Sequence, residues 1–507
     1  MVENKYILSV DVGTTATKVA LFNLSGNTIA SVTKEYELIT PSALEVEVAI
    51  ETLWNSFKEG VKQILFSTKI VPSNIVAIGI SAQGETLVPI DKDGKPLRKA
   101  IVWLDNRAQE EAEILDKKFN DGTSYKITGQ VKIVPTWPAS KILWIKRHQP
   151  EIFRQAYKYL LVEDYFIWKM TGTFASEGSL LCSTCYWNIV TKKWWSEMLN
   201  FLEITEDHLP EIREPGEKVG ELIPSAAKEL GLTTETVVST GALDQACGTL
   251  GVGNIKPGVF TENIGAALAI CATLEKPVFD PQKRMPIHYH AIADKYMAHT
   301  FTTGGMALRW FRDTFCETEV NAAKLASVSA YQLIDKEVES VPPGSEGLVM
   351  LPHLQGAMAP EANPKAKGVY FGFTLRHRKP HFARSIMEAI ACTIRKNIDV
   401  LEDMKIKVKE IRALGGGARS TVWNQIIADL TKRPVITTKH DEDAACLGAA
   451  ILAGKAAGIF RRLEDAVKDM VTIKKRYKPN LENYENYDTL YTKYNKLYEN
   501  LLEIFSL

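Results

Sequence analysis

The sequence lacks the apolar run of roughly eighteen residues that a membrane-spanning helix needs, so no segment is expected to cross a bilayer. It also lacks a charge excess. Lys+Arg and Asp+Glu both number 61, which argues against a nucleic-acid binder that works by bulk electrostatics. The one basic cluster, Lys474-Lys475-Arg476-Tyr477-Lys478, is short and reads as a solvated face. Cysteine is sparse: 7 scattered residues, an odd count that fits reduced thiols better than a disulfide framework. Cys182 and Cys185 form a CxxC with no second pair to complete a zinc site, and read as buried thiols. The opening MVENKY is polar and has no signal-peptide core, so a cytoplasmic protein is expected. No GxxxxGK[ST] occurs, which excludes a P-loop. Gly251-Val252-Gly253-Asn254-Ile255-Lys256 carries lysine where a dinucleotide-binding loop wants its third glycine.

What is present is a chain of 507 residues, 45% hydrophobic and 24% charged, enough for roughly two to four well-buried domains. It opens on Ile7 to Phe22, which reads as strand, Gly13-Thr14-Thr15 turn, strand. Asp11 stands where the first strand ends, hydroxyls and backbone N–H groups follow, and Lys18 lies on the second strand. That set suits a metal-bound polyphosphate, with a carboxylate for the cation, donors for phosphate oxygens and a lysine for residual charge. The same residues also fit a plain buried hairpin. A third strand from Thr28 completes a meander, Leu53, Trp54, Phe57, Val61 and Ile64 predict a helix over 50–67, and strands follow at Ile75–Ile80, Val88–Ile90 and Ile101–Leu104. Residues 105–235 read as mostly helical.

Val237–Thr240 is a predicted strand leading into Asp244-Gln245 at the start of a helix, where the helix N-terminus favours an ionised carboxylate. Asn254–Gly258 reads as a hinge. Beyond it the opening pattern recurs: Asn263-Ile264-Gly265-Ala266-Ala267 aligns with Asp11-Val12-Gly13-Thr14-Thr15. One repeat at such a distance implies two similar domains, 1–253 and 254–507, with two phosphate-type turns across a cleft. Apolar stripes predict helices around Ile386–Leu401 and Val422–Leu430, the latter capped by Ser420 after Gly415-Gly416-Gly417. Tyr484, Tyr487, Tyr491, Tyr494 and Tyr498 line one helix face that packs on the body.

These motifs, with Trp103-Leu104-Asp105-Asn106-Arg107, Thr303-Gly304-Gly305, and Gly368-Val369-Tyr370-Phe371-Gly372 followed by His381 to Glu388, occur in an order that resembles the FGGY carbohydrate kinases. The resemblance runs over nearly the whole chain. It departs at Phe373, where a smaller aliphatic is usual, and at Ala266, where a hydroxyl residue commonly follows the glycine. It implies an α/β fold of two actin/hexokinase-like (ribonuclease H-like) domains with a catalytic cleft between them, sugar and base in the first and nucleotide in the second. It also implies ATP and Mg²⁺ as cofactors, a small sugar or polyol as substrate, and a homodimer as an assembly frequent in the family; neither nucleic acid nor membrane is expected as a partner.

By position, the resemblance assigns Asp244 as catalytic base, Asp11 to the metal, and Thr14, Thr15 and Lys18 to the transferred phosphoryl. It assigns Gly265 and Ala266 to the β/γ-phosphates, Gly305, Gly416, Gly417 and Ser420 to the nucleotide, and Gln83, Glu85, Trp103 and Gln245 to the sugar. Gln83 and Glu85 also fit hydrogen-bonded turn residues, and the three glycines fit an ordinary strand–helix turn. Gln83-Gly84-Glu85-Thr86 differs from the Gln-Met-His of xylulokinases and from the Gln-Arg-Glu-Thr of glycerol kinases. Gly84 in place of arginine is expected to leave room. The expected acceptor is a pentulose such as xylulose, then a glycerol- or erythritol-type polyol. A reading of another class is an ATP-driven conformational or regulatory sugar-binding protein without transfer.

Overall fold

The computed structural model describes residues 5–119, 122–440 and 442–507. Two mixed sheets organise it. The first is built from β1 (Tyr6–Val12), β2 (Ala16–Asn23), β3 (Thr28–Glu35), β4 (Ile75–Ala82), β5 (Lys218–Glu221) and β6 (Val237–Ser239), in the order β5-β6-β4-β1-β2-β3. The second uses β7 (Val259–Ile264), β8 (Ala267–Leu274), β9 (Ile287–Tyr289), β10 (Tyr296–Thr303), β11 (Glu410–Leu414), β12 (Val435–Thr438) and β13 (Ile473–Tyr477), in the order β9-β10-β8-β7-β11-β12-β13.

The repeat read from sequence is a repeat of sheet topology. β3-β2-β1 are antiparallel neighbours, β1-β4-β6 run parallel, and β5 closes antiparallel. In the second sheet β10-β8-β7 are antiparallel, β7-β11-β12 parallel, and β13 antiparallel. The central strands β1 and β7 are largely buried on both faces, as strands of a covered parallel sheet are.

Helix α1 (Ile50–Thr68) buries Leu53, Trp54, Phe57, Val61 and Ile64 against the first sheet, at the predicted spacing. Further on come α2 (Pro138–His148), α3 (Asp244–Gly251), α4 (Lys379–Asp403), α5 (Thr421–Thr431), α6 (Ala444–Ala456) and α7 (Tyr484–Asn500). The Ser420 hydroxyl accepts from Trp423 N at 3.1 Å and caps α5. Tyr487, Tyr494 and Tyr498 of α7 are buried in the second core. All seven cysteines are free and buried. The predicted strand at Ile101–Leu104 shortens to Ala100–Ile101, because Asp105 N turns back to Val102 O at 3.0 Å. No helix among the described residues is long and apolar enough to cross a membrane.

The halves are tied by more than one connection. The predicted hinge begins at a fully buried Asn254, whose Nδ2 donates to Thr261 Oγ1 at 2.6 Å and whose Oδ1 accepts from Thr273 Oγ1 at 2.7 Å. Helix α6, from the second half of the chain, packs on the first sheet, with Leu447, Ala450 and Ile451 sharing a core with Ile7, Ala20 and Ala77. It also crosses α3, where Gly251 and Gly448 let the two backbones touch. Helix α3, which begins at Asp244, is therefore wedged between the halves.

Candidate active site

The carboxyl end of β1 places Asp11 beside the end of β4, and α3 starts at Asp244. A cavity of about 350 Å³ gathers Asp11, Lys18, Asp244 and Gln245 with Asn263, Gly416 and Arg419. Asn263 holds in the second half the place that Asp11 holds in the first, so the two repeated positions do line one cavity. A second cavity, about 390 Å³, is lined by Gly265, Ala266, Gly305, Gly416, Gly417 and Ser420. Tyr331, Gln332, Asp335 and Trp423 also line it. Gly416 and Arg419 belong to both, so the cavities adjoin end to end. A larger open cavity of about 820 Å³, around Arg384, Asp429 and Lys475, shares none of these residues.

Asp244 Oδ1 accepts from Gln245 N at 2.6 Å. The helix N-terminus was expected to favour its ionised form, but burial outweighs it. Desolvation, then the charges of Asp11 and Glu85, push its carboxyl up to about 7 against the hydrogen bonds from Gln245. Ser81 Oγ donates to Asp11 Oδ1 at 2.7 Å. Burial still raises the Asp11 carboxyl above its ordinary range, with Ser81 and Lys18 opposing. Lys18 does not point freely into the cavity. Its Nζ donates to Asp443 Oδ1 at 2.7 Å and to Glu442 O at 3.0 Å, and Arg419 pairs with Glu442. Burial works to lower the Lys18 ammonium, but Asp443 outweighs it and the net shift is upward.

Thr14 and Thr15 lie on the turn between β1 and β2, where neither lines the two cavities. Thr14 Oγ1 accepts from Trp103 Nε1 at 2.7 Å, and Thr15 is exposed. The Gly13 carbonyl accepts from Tyr36 OH at 2.5 Å and from Gln83 Nε2 at 2.7 Å, so both lone pairs are used. Gln83 Oε1 accepts from Thr86 Oγ1 at 2.9 Å, and Thr86 Oγ1 in turn accepts from Trp103 N at 3.1 Å. Gln83 is 3% exposed, and its amide ties the 83–86 loop to the Gly13 turn. A Cβ at Gly84 would lie 2.9 Å from Leu243 Cδ1, so the small residue accommodates Leu243.

Gln245 meets the other half through Asn263 Nδ2, which donates to its Oε1 at 3.4 Å. Sequence reasoning passed over Asn263 as an aligned residue without a role, and it missed Ser81, Tyr36, Arg419, Asp443 and the Tyr331–Asp335 wall. Arg419 and Asn263 stand inside motifs already singled out, so their spacing could have marked them. The others carry no local signal.

The FGGY family of carbohydrate kinases matches the chain in two parts, its N-terminal domain over residues 6–251 and its C-terminal domain over residues 269–457. The chain is 33% identical over 502 residues to the gluconokinase of Bacillus subtilis (strain 168), covering 98% of this chain and 96% of that one. It is 29% identical over 501 residues to the xylulose kinase of the same strain, covering 99% and 98%. The crystal structure of ligand-bound xylulose kinase from Lactobacillus acidophilus superposes with a TM-score of 0.88 at 29% identity over 98% of both chains. The chain belongs to the FGGY family of carbohydrate kinases, phosphotransferases that act on an alcohol group of a sugar.

Proposed function

We propose that the protein transfers the γ-phosphate of ATP to a hydroxyl of a neutral open-chain sugar, a pentulose such as xylulose. One observation carries the reading: a nucleotide-sized cavity walled by Gly305, Gly416, Gly417 and Ser420 runs into a second one that ends on Asp244. Residues 1–253 supply the acceptor site and base, and 254–507 the nucleotide site. Adenosine lies against the Gly416-Gly417 loop and Tyr331, and the phosphates pass Gly265 and Ala266; the Gly265 N–H is taken by Ala267 O at 2.9 Å, which leaves the Ala266 N–H to donate. Asp244 Oδ1 is held by Gln245 N. Oδ2 takes the proton of the attacking hydroxyl, and a base titrating near 7 is matched to that task at neutral pH.

Asp11 and Asp244 crowd one another, and the nearest cation, Lys18, is engaged by Asp443. Two half-buried carboxylates short of positive charge fit a divalent cation. Asp11 is the residue that would hold Mg²⁺, which when bound supplies the neutralising charge that a polyphosphate needs. Lys18 reaches the phosphoryl group by exchanging its Asp443 partner for a phosphate oxygen.

Glu85 faces the acceptor side, close enough to raise the Asp244 carboxyl. Glu85 and Asp244 make that side acidic and favour a neutral polyol over a sugar acid. Gluconate is the second reading, supported by the similarity to the Bacillus subtilis gluconokinase. A coupled ADP-release assay over xylulose, other ketopentoses, erythritol, glycerol and gluconate decides. The kinase reading fails if no acceptor raises ADP release above the water rate; the pentulose reading fails if gluconate or a polyol has the highest kcat/KM.

A further inference from the structure

We propose that Lys141 is a positioning residue for the acceptor site, an ammonium that pins the Glu85 loop and the segment ahead of Trp103 to one another from behind. It rests on the reading that Glu85 and Trp103 line that site.

Lys141 lies on α2 and is fully buried. Its Nζ donates to Glu85 O at 2.7 Å, Val102 O at 3.0 Å and Ile101 O at 3.4 Å. An ammonium has three protons, so its hydrogen-bonding capacity goes to backbone carbonyls and none is aimed at a ligand. Glu85 has reason to need this hold. It is a non-glycine residue at φ +57°, a conformation that persists where its surroundings impose it. With the backbone so turned, the carboxylate is presented near Asp244.

The clamp is the buried end of a longer frame. From Glu85 the connection runs through Thr86 to Gln83 and Trp103, then to Gly13 and Thr14 of the phosphate-type turn. One hydrogen-bonded path therefore joins the back of the acceptor loop to the turn below the transferred group. Burying a lysine is costly, and methionine or leucine would fill a core helix position more cheaply. Burial lowers this ammonium to about 7, with Glu85 and Asp105 opposing. A charge kept at that cost, with every proton spent on the two acceptor-side segments, is fixing their relative position.

The test compares Lys141→Met, Lys141→Gln and Glu85→Gln in the full chain. Each is followed by far-UV circular dichroism, KM for acceptor, KM for ATP, and ATP hydrolysis without acceptor. Lys141→Met should fold and raise acceptor KM about tenfold or more, the scale of a lost charged hydrogen bond or a misplaced loop. KM for ATP and the acceptor-free rate should stay within about twofold. Lys141→Gln, whose amide can still donate to two of the carbonyls, should recover part of the loss. The proposal is overturned if acceptor KM does not move, if acceptor and ATP parameters fall together, or if neither Lys141 variant folds. An unchanged acceptor KM in Glu85→Gln would instead overturn the placement of the acceptor beside Glu85, whatever the Lys141 variants do.

Discussion

Replacing Asp244 with Asn should remove activity and add stability, and the second effect is the sharper test of the site's electrostatics. The carboxyl titrates near 7 in the folded chain against an ordinary 3.8. At about 1.4 kcal/mol per pH unit, that gap corresponds to about 4 kcal/mol, an upper figure because the cleft admits water. The sign follows from the raised folded value. Between about pH 4 and 7 the folded chain holds this proton more firmly than the unfolded chain does. Stability from this group is therefore full below about pH 4, is lost as pH rises to about 7, and is flat above. Asn carries no charge to bury and escapes the loss. The variant's advantage should grow from about 1 kcal/mol at pH 4.5 toward about 4 kcal/mol at pH 8, read as the shift in urea midpoint between the two proteins. Phosphoryl transfer should fall about 100- to 10,000-fold, the usual worth of a general base. In the wild type, kcat/KM should fall about tenfold per pH unit below about 7, as the base takes up its proton. An urea midpoint that tracks the wild type at every pH would refute the assignment of a buried, charge-strained base. Retained transfer would refute its role.

Ser81→Ala removes the 2.7 Å donor from Asp11 Oδ1, so the Mg²⁺ concentration for half-maximal activity should rise about threefold to tenfold in a metal titration. Trp103→Phe keeps a ring at this position but loses the Nε1–H bond to Thr14. Its kcat should fall about fivefold to tenfold with acceptor KM nearly unchanged, which steady-state kinetics will separate. Gly415→Ala puts a Cβ 2.4 Å from Asn263 Oδ1 at φ +77°. It should cost about 1–3 kcal/mol in urea unfolding and weaken nucleotide binding in a calorimetric ADP titration.

Much of this was legible because the signals are local. The hairpins at Asp11 and Gly265, the strand before Asp244, and the glycine loop with its Ser420 cap are each written within about a dozen consecutive residues. Aligning the two hairpins anticipated that Asp11 and Asn263 line one cavity, although their turns do not meet there, since Thr14 and Thr15 line neither cavity. What escaped were partners far along the chain. Nothing near Lys18 announces that Asp443 holds its ammonium, and nothing near Asn254 announces Thr273. Lys141 is buried on α2, where a lysine by its type alone reads as solvated. Gly84 is a related case: the side chain it makes room for, Leu243, lies far along the chain.

The two aligned positions, Asp11 and Asn263, also explain how a duplicated fold can hold an asymmetric reaction. Both line the cavity that ends on Asp244. A second aspartate at 263 would put three carboxylates around one polyphosphate path. At ~5 Å and an effective dielectric of ~20, each added like-charge pair costs about 3 kcal/mol. Asn263 keeps the shape and the backbone turn but carries no charge, and its amide reaches Gln245 instead. On the proposed reading the acidic half then concentrates its charge on the cation and the base, while the Ala266 N–H meets the phosphates from the other half. Ala266, in place of the family's usual hydroxyl residue, fits this division, because at the neutral turn the backbone supplies the donors.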